Sequence, residues 1–199
     1  MRTSIKLSIC FIALTLSGCQ SAPPVPTDKY YRLEAAQGDA SATAILHGAI
    51  YIAPLSADGP YAERAMLYST PEQSRELQQY HYRHWNEPPA ILLQEHMRAS
   101  FEAMKLASRV TTIAMGDDIG HVLDARIVRF EKISGANPRA VVSLHLALKK
   151  TKPMKMIMER SYSEEVILGD DSQHTYVLAC EAGLKKIYER FSRDLKALR

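Results

Sequence analysis

Several signatures are missing from this sequence, and each absence closes off a class of function. No glycine-rich phosphate loop of the P-loop or dinucleotide kind occurs, so the chain is not an ATPase of that design. No Gly-x-Ser-x-Gly elbow occurs, which removes a common hydrolase signal. The formal charge is only +3 and no basic stripe concentrates it, which argues against nucleic acid as a partner. No apolar run reaches the roughly 20 residues that a permanent membrane-spanning helix needs. Cysteine is scarce, at three residues, and tryptophan occurs once, as Trp85.

What is present is concentrated at the start. Arg2 and Lys6 precede an apolar run from Leu7 to Leu16, about the length of a secretory h-region. Small residues then lead into a cysteine, and Leu16-Ser17-Gly18-Cys19 resembles the lipobox cut by lipoprotein signal peptidase. The resemblance implies that residues 1–18 are a lipoprotein signal peptide and that Cys19 becomes the acylated first residue. The blander alternative is an ordinary signal peptide ending near a cysteine, but this order directly after an apolar run is uncommon by chance. Each buried acyl methylene contributes about 0.8 kcal/mol, and bacterial lipoproteins of this pattern carry several chains, so anchoring is effectively permanent. Residue 20 is Gln rather than the Asp that usually retains such proteins in the inner membrane. The expected location is the inner leaflet of an outer membrane, facing the periplasm.

Removing residues 1–18 takes away Arg2 and Lys6 and no acid, so the charge falls to +1 over 181 residues. That length suits one domain with a sizeable core. With Cys10 cleaved off and Cys19 acylated, Cys180 stands alone and an intramolecular disulfide is impossible. Cys180 falls in an apolar helical stripe and reads as a small buried hydrophobe rather than a nucleophile or redox thiol. Residues 19–29 comprise the acylated cysteine and a proline-rich tether; residues 20 to 28, in extended polyproline form, would span about 28 Å.

Residues 30–199 read as the folded domain. Short strands are expected at Tyr30 to Leu33, Ile45 to Ala53, Ala65 to Ser69 and Glu76 to Trp85. A helix follows, with Asn86 as cap, Pro88 and Pro89 in its first turn, and Leu93, Met97, Phe101 and Met104 as its apolar stripe. It is expected to end near Ala107 to Ser108, before a strand from Val110 to Ala114. From His121 the period becomes two: Leu123, Ala125 and Ile127, then Val142, Leu144, Leu146 and Leu148, then Met154 to Leu168. These segments predict an antiparallel meander with one buried face. A last helix starts at Ser172 as N-cap, with a stripe of Cys180, Leu184, Ile187, Phe191 and Leu195 whose burial contributes roughly 8–15 kcal/mol gross. The fold class is α+β: a single domain, a mostly antiparallel sheet with two principal helices packed on one face.

The arrangement of strands and helix carries a resemblance. Tyr30-Tyr31-Arg32-Leu33 follows the lipobox, then Ile50-Tyr51-Ile52-Ala53-Pro54, Leu67-Tyr68, an aromatic strand ending in Trp85, Glu87-Pro88-Pro89 and Leu92-Leu93. This resembles the ABC-type transport auxiliary lipoproteins, the family of the paraquat-inducible lipoprotein C. The resemblance covers most of residues 30 to 195. It implies a non-enzymatic accessory that accompanies MCE-domain periplasmic proteins and their permease in moving lipid between two membranes, with no catalytic residue to carry over. Homo-oligomerisation is expected on grounds of multivalency. A scaffold lipoprotein for another envelope assembly process is the alternative, and a periplasmic hydrolase a more distant one.

Other candidates each have a sharp and a bland reading. His81, His84, Glu87, Glu95 and His96 offer metal-ligand residue types, but positions 81 and 84 point to opposite faces of a strand, so no metal or other cofactor is expected there. His47, His121, His145 and His174 are scattered singly. Met154, Met156 and Met158 alternate along one strand face, either as core beneath the last helix or as an adaptable surface for lipid or protein. Trp85 is either a partner anchor or a core plug at the sheet–helix junction, the second being favoured by its place just before a helix. Glu164, Glu165, Asp170 and Asp171 are acid–base residue types at a strand end and a helix start, where solvation or the helix dipole accounts for them.

Overall fold

The computed structural model describes residues 25–35, 43–116 and 118–198. Leu16, Ser17, Gly18 and Cys19, and with them the signal-peptide boundary, lie outside the described residues. Along the chain the elements are β1 (Lys29–Tyr31), β2 (Leu46–Ile52), β3 (Ser56–Ala57), a single 3-10 turn (Gly59–Ala62), β4 (Ala65–Ser69) and β5 (Gln78–Trp85). Then come α1 (Pro89–Ala103), β6 (Ala107–Thr111), β7 (Ile119–Ile133), β8 (Arg139–Lys150), β9 (Lys155–Ile167) and α2 (Gln173–Ala197).

Strand β7 is the spine of one α+β domain. One of its edges pairs along nearly its whole length with β8, which pairs in turn with β9, and both ladders are antiparallel. Its other edge takes up three strands end to end, all parallel: β2 against residues 119–123, β3 against Arg126 and Ile127, and β4 against Lys132 and Ile133. Strand β6 extends the sheet beside β2, and β5 and β1 extend it beside β4. The long ladders are antiparallel, as the alternating pattern predicts. Five of the eight pairings are nevertheless parallel, because β1 to β4 find their partners far along the chain rather than across a hairpin.

Both helices face the same core. The α2 stripe Cys180, Leu184, Ile187, Phe191 and Leu195 is buried against β8 and β9, and its start matches the expected cap, with the Ser172 hydroxyl accepting from the Thr175 amide at 3.2 Å. Asp170 adds to this cap, accepting from the Ser172 amide at 2.8 Å and the Thr175 hydroxyl at 2.7 Å. Helix α1 buries Leu93, Met97 and Phe101 and meets α2 where the Phe101 ring lies 5.0 Å from Tyr188 and 5.6 Å from Phe191.

Two expectations for α1 are corrected. Asn86 is not its cap: its amide donates to the Tyr31 carbonyl at 2.7 Å and so joins β1, while Pro88 fills the cap position. The helix also ends at Ala103, several residues early. Lys105 turns left-handed with φ 51°, and the Leu106 amide reaches back to the Phe101 carbonyl at 2.9 Å, which closes the last turn and frees Leu106 to enter the core. The methionine alternation breaks too. A bulge between Leu148 and Lys149 leaves Met158 buried at 5 %, while Met156 is 43 % and Met154 73 % exposed. Only Met158 is core.

Candidate functional sites

Residues 25–28 lead into β1, which lies at the edge of the sheet beside β5. There Tyr31 pairs with Trp85, whose indole is 1 % exposed, stacked 4.9 Å from Phe130 and 5.9 Å from Tyr176. Trp85 is the core plug, not an exposed anchor. Next to it opens the largest of the clefts described, about 680 Å³, between β1, β5 and the first residues of α2. Its walls mix tyrosines (Tyr31, Tyr80, Tyr82) with Lys29, Arg83 and, as the one acid, Asp171. On the same edge the Arg64 guanidinium lies 5.2 Å from the Tyr30 ring centre, and His84 sits 3.4 Å from the Asp28 carboxylate. An aromatic and cationic rim of this kind suits an amphipathic boundary, where rings need one dry and one wet side.

Behind the cleft two ionisable side chains are buried back to back on β7. Lys132 is 1 % exposed, and its ammonium donates to the Asp171 carbonyl at 2.6 Å and carboxylate at 2.7 Å, tying β7 to the start of α2. Glu131 faces the other side, where it accepts from the Tyr61 hydroxyl and the Arg129 guanidinium. Burial and that carboxylate push the Tyr61 phenol well above its ordinary range. Neither buried charge was expected from the sequence. A bulge between Ile127 and Arg129 shifts the alternation, so Phe130 and Lys132 take over the inward face from Leu123, Ala125 and Ile127.

The other candidates are dispersed. His96 is buried between the Tyr188 hydroxyl at 3.4 Å and the Glu34 carbonyl at 3.2 Å, and burial lowers its pKa to about 4, against the Glu34 contact, which raises it. His84 is with Asp28, and Glu95 is held by Arg98 at 2.9 Å, so the histidines and acids weighed as metal ligands do not converge. Among the described residues no group of three metal-ligating side chains assembles. His145 bridges Glu159 and Ser161, each at 3.0 Å, on the open face of the sheet. Glu164 pairs with Arg190 and Glu165 with Arg139 at 2.8 Å, while Asp170 is held near pKa 2 by the Ser172 and Thr175 side chains and the Ser172 amide. Cys180 is fully buried, and burial pushes its thiol far up, leaving it protonated.

Taken as a class, this is a small α+β module with a mixed sheet, one helical face and an aromatic, basic edge at its point of entry. Among solved structures it is similar to XCC0632 from Xanthomonas campestris, a DUF330 protein, with 17% identity over 85% of this chain and 95% of that one and a TM-score of 0.73. It is also similar to an uncharacterized protein at 15% identity, over 85% of this chain and 99% of that one, with a TM-score of 0.70. At these identities the likeness shows a shared fold. The lipoprotein GNA1162 from Neisseria meningitidis matches more loosely, at 11% identity over 71% of this chain and 99% of that one, with a TM-score of 0.31. No protein-family model and no curated protein matches the chain. No helix among the described residues is long and apolar enough to cross a membrane.

Proposed function

We propose that the chain is an acylated envelope lipoprotein, anchored through Cys19 in the inner leaflet of the outer membrane, that serves an MCE-type lipid transport system as a non-enzymatic accessory. The observation that carries the reading is Leu16-Ser17-Gly18-Cys19, placed directly after an apolar run and before a proline-rich tether. Support comes from where that tether leads: it meets the domain at β1, beside the tyrosine-rich and basic cleft. An anchored chain would thus hold this edge toward the membrane and leave the far end of β7 to the periplasm. The ordering of strands and helix resembles the transport auxiliary lipoproteins, and the fold is shared with a DUF330 protein. Homo-oligomerisation would let so small a module grip a ring-shaped MCE partner through several weak contacts.

The test has two stages. A Cys19→Ser variant should lose all incorporation of radiolabelled palmitate, and persistent labelling would remove Cys19 as the anchor. Cross-linked envelopes purified through the wild-type chain should then yield an MCE-domain protein. Its repeated absence would leave an anchored lipoprotein without the transport role.

A further inference from the structure

At the end of β7 opposite the tether the core is not fully closed. Beneath the last turn of α2 lies a cavity of about 270 Å³ lined by Leu46, His47, His121, Lys150, Ile157, Leu195 and Leu198. His121 and Lys150 are direct partners in the β7–β8 ladder and continue the inward row of Leu123 and Leu148. A row of leucines therefore ends in an imidazole and an ammonium. From His121 to Lys132, which marks the tether end, β7 runs roughly 36 Å at 3.3 Å per residue.

Two features of this cavity point to a ligand. His121 is only 8 % exposed, yet its Nδ1 has no hydrogen-bond partner among the described residues. Leaving such a group unpaired in a core is costly, so a molecule that supplies the partner gains by it. The polar members are also all basic or neutral: Lys150, His47 and His121, with Lys150 in no ion pair among the described residues. Burial is the largest cause that lowers the pKa of His121, with the charges of Lys150 and His47 adding to it. The remaining walls are aliphatic, and Leu198 extends them outward, 55 % exposed.

We propose that this cavity binds the anionic head and first methylenes of a single-chain amphiphile. A carboxylate or phosphate oxygen accepts from Lys150 and from an imidazole N–H, while the chain lies against Leu46, Ile157 and Leu195 and leaves over Leu198. The volume falls just below the roughly 300 Å³ at which pockets for whole drug-sized ligands begin, so it admits a head and the start of one chain, not a diacyl lipid. The inference rests on these residues alone and stands apart from the transport reading.

The full-length chain in native membrane vesicles can be photolabelled with two probes. One is palmitate carrying a diazirine near the carboxylate and a terminal alkyne. The other is a lysophosphatidic acid with the same tail. Cross-links are expected on peptides bearing Leu46, Ile157 or Leu195, reduced at least fivefold in Lys150→Glu and in His121→Leu, and unchanged in His145→Phe on the opposite sheet face. Labelling by palmitate alone identifies a free carboxylate as the head, and labelling by the lysolipid alone identifies a phosphate. Because Lys150 is exposed, Lys150→Glu keeps the test valid even if His121→Leu fails to fold. No labelling by either probe, or equal labelling of Lys150→Glu, overturns the proposal.

Discussion

The two parts of the sheet that meet at β7 are built on different principles. The meander β7–β9 with α2 is local: consecutive strands, short turns, ladders of about a dozen pairs and one buried face. The part formed by β1 to β6 with α1 is assembled from strands of two to eight residues, most of them parallel to their neighbours. Parallel strands need long connections, and their closure entropy is met only when a partner strand already stands in place. In the folded chain the meander supplies the edge on which the shorter strands pair. Strands β2, β3 and β4 have β7 in common, and α1 reaches α2 through Phe101.

Trp85→Ala should separate the two parts of the sheet most strongly. Trp85 is the last residue of β5 yet packs on Phe130 of β7 and Tyr176 of α2, so it rivets one part to the other. Its truncation should cost about 3–5 kcal/mol in urea unfolding. Hydrogen exchange should show β1, β4 and β5 losing protection while β8 and β9 stay slow. A uniform loss across the sheet would mean that the two parts form one cooperative unit.

A second effect, nearly as large, tests the seam between the helices. His96 of α1 is buried against Tyr188 of α2, with its pKa lowered from 6.5 to about 4. The unfolded chain therefore takes up the proton first. The stability that His96 confers is complete above about pH 6.5, falls as the pH drops, and is gone near pH 4, amounting to at most about 3 kcal/mol. Unfolding free energies measured from pH 7 to 4 should show this slope, and His96→Gln should flatten it. An unchanged slope in the variant would assign the dependence to other groups.

The same division explains what could be read in the sequence. The meander and α2 were legible because periodicity is local information: Leu144, Leu146 and Leu148 point inward as their alternation predicts, and Ser172 caps as its position suggests. Strand β4 was legible to the residue for the same reason. The parallel pairings were not, since nothing in Leu46–Ile52 or Ala65–Ser69 names a partner far along the chain. Of the candidate sites, a first strand near Tyr30 and Tyr31 could be anticipated, whereas the buried Lys132 and Glu131 could not, because the bulge near Val128 reverses which residues face inward. The cavity at His121 was hidden more deeply still. It needs β2, β7, β8, β9 and the end of α2 together, and His121 in isolation looked like one of several scattered histidines.

The smallest effects compare how each part uses glycine. At the end of α1, Lys105 holds a left-handed conformation with φ 51° while exposed, and the Lys105 amide donates to the Glu102 carbonyl at 3.0 Å. Glycine there would remove the Cβ strain and keep the turn, so Lys105→Gly should stabilise by about 1 kcal/mol. In the middle of α2 the situation is reversed. Gly183 sits in a regular helix, and a methyl group added to it would meet Val142 at 3.5 Å and Val166 at 3.6 Å, ordinary contact distances. Gly183→Ala should therefore gain roughly 0.5–1 kcal/mol of helix propensity without pushing α2 off β8 and β9. Thermal melts of both variants check the pair. A loss on Gly183→Ala would mean that α2 lies closer to the meander than these distances indicate, with glycine kept there for packing.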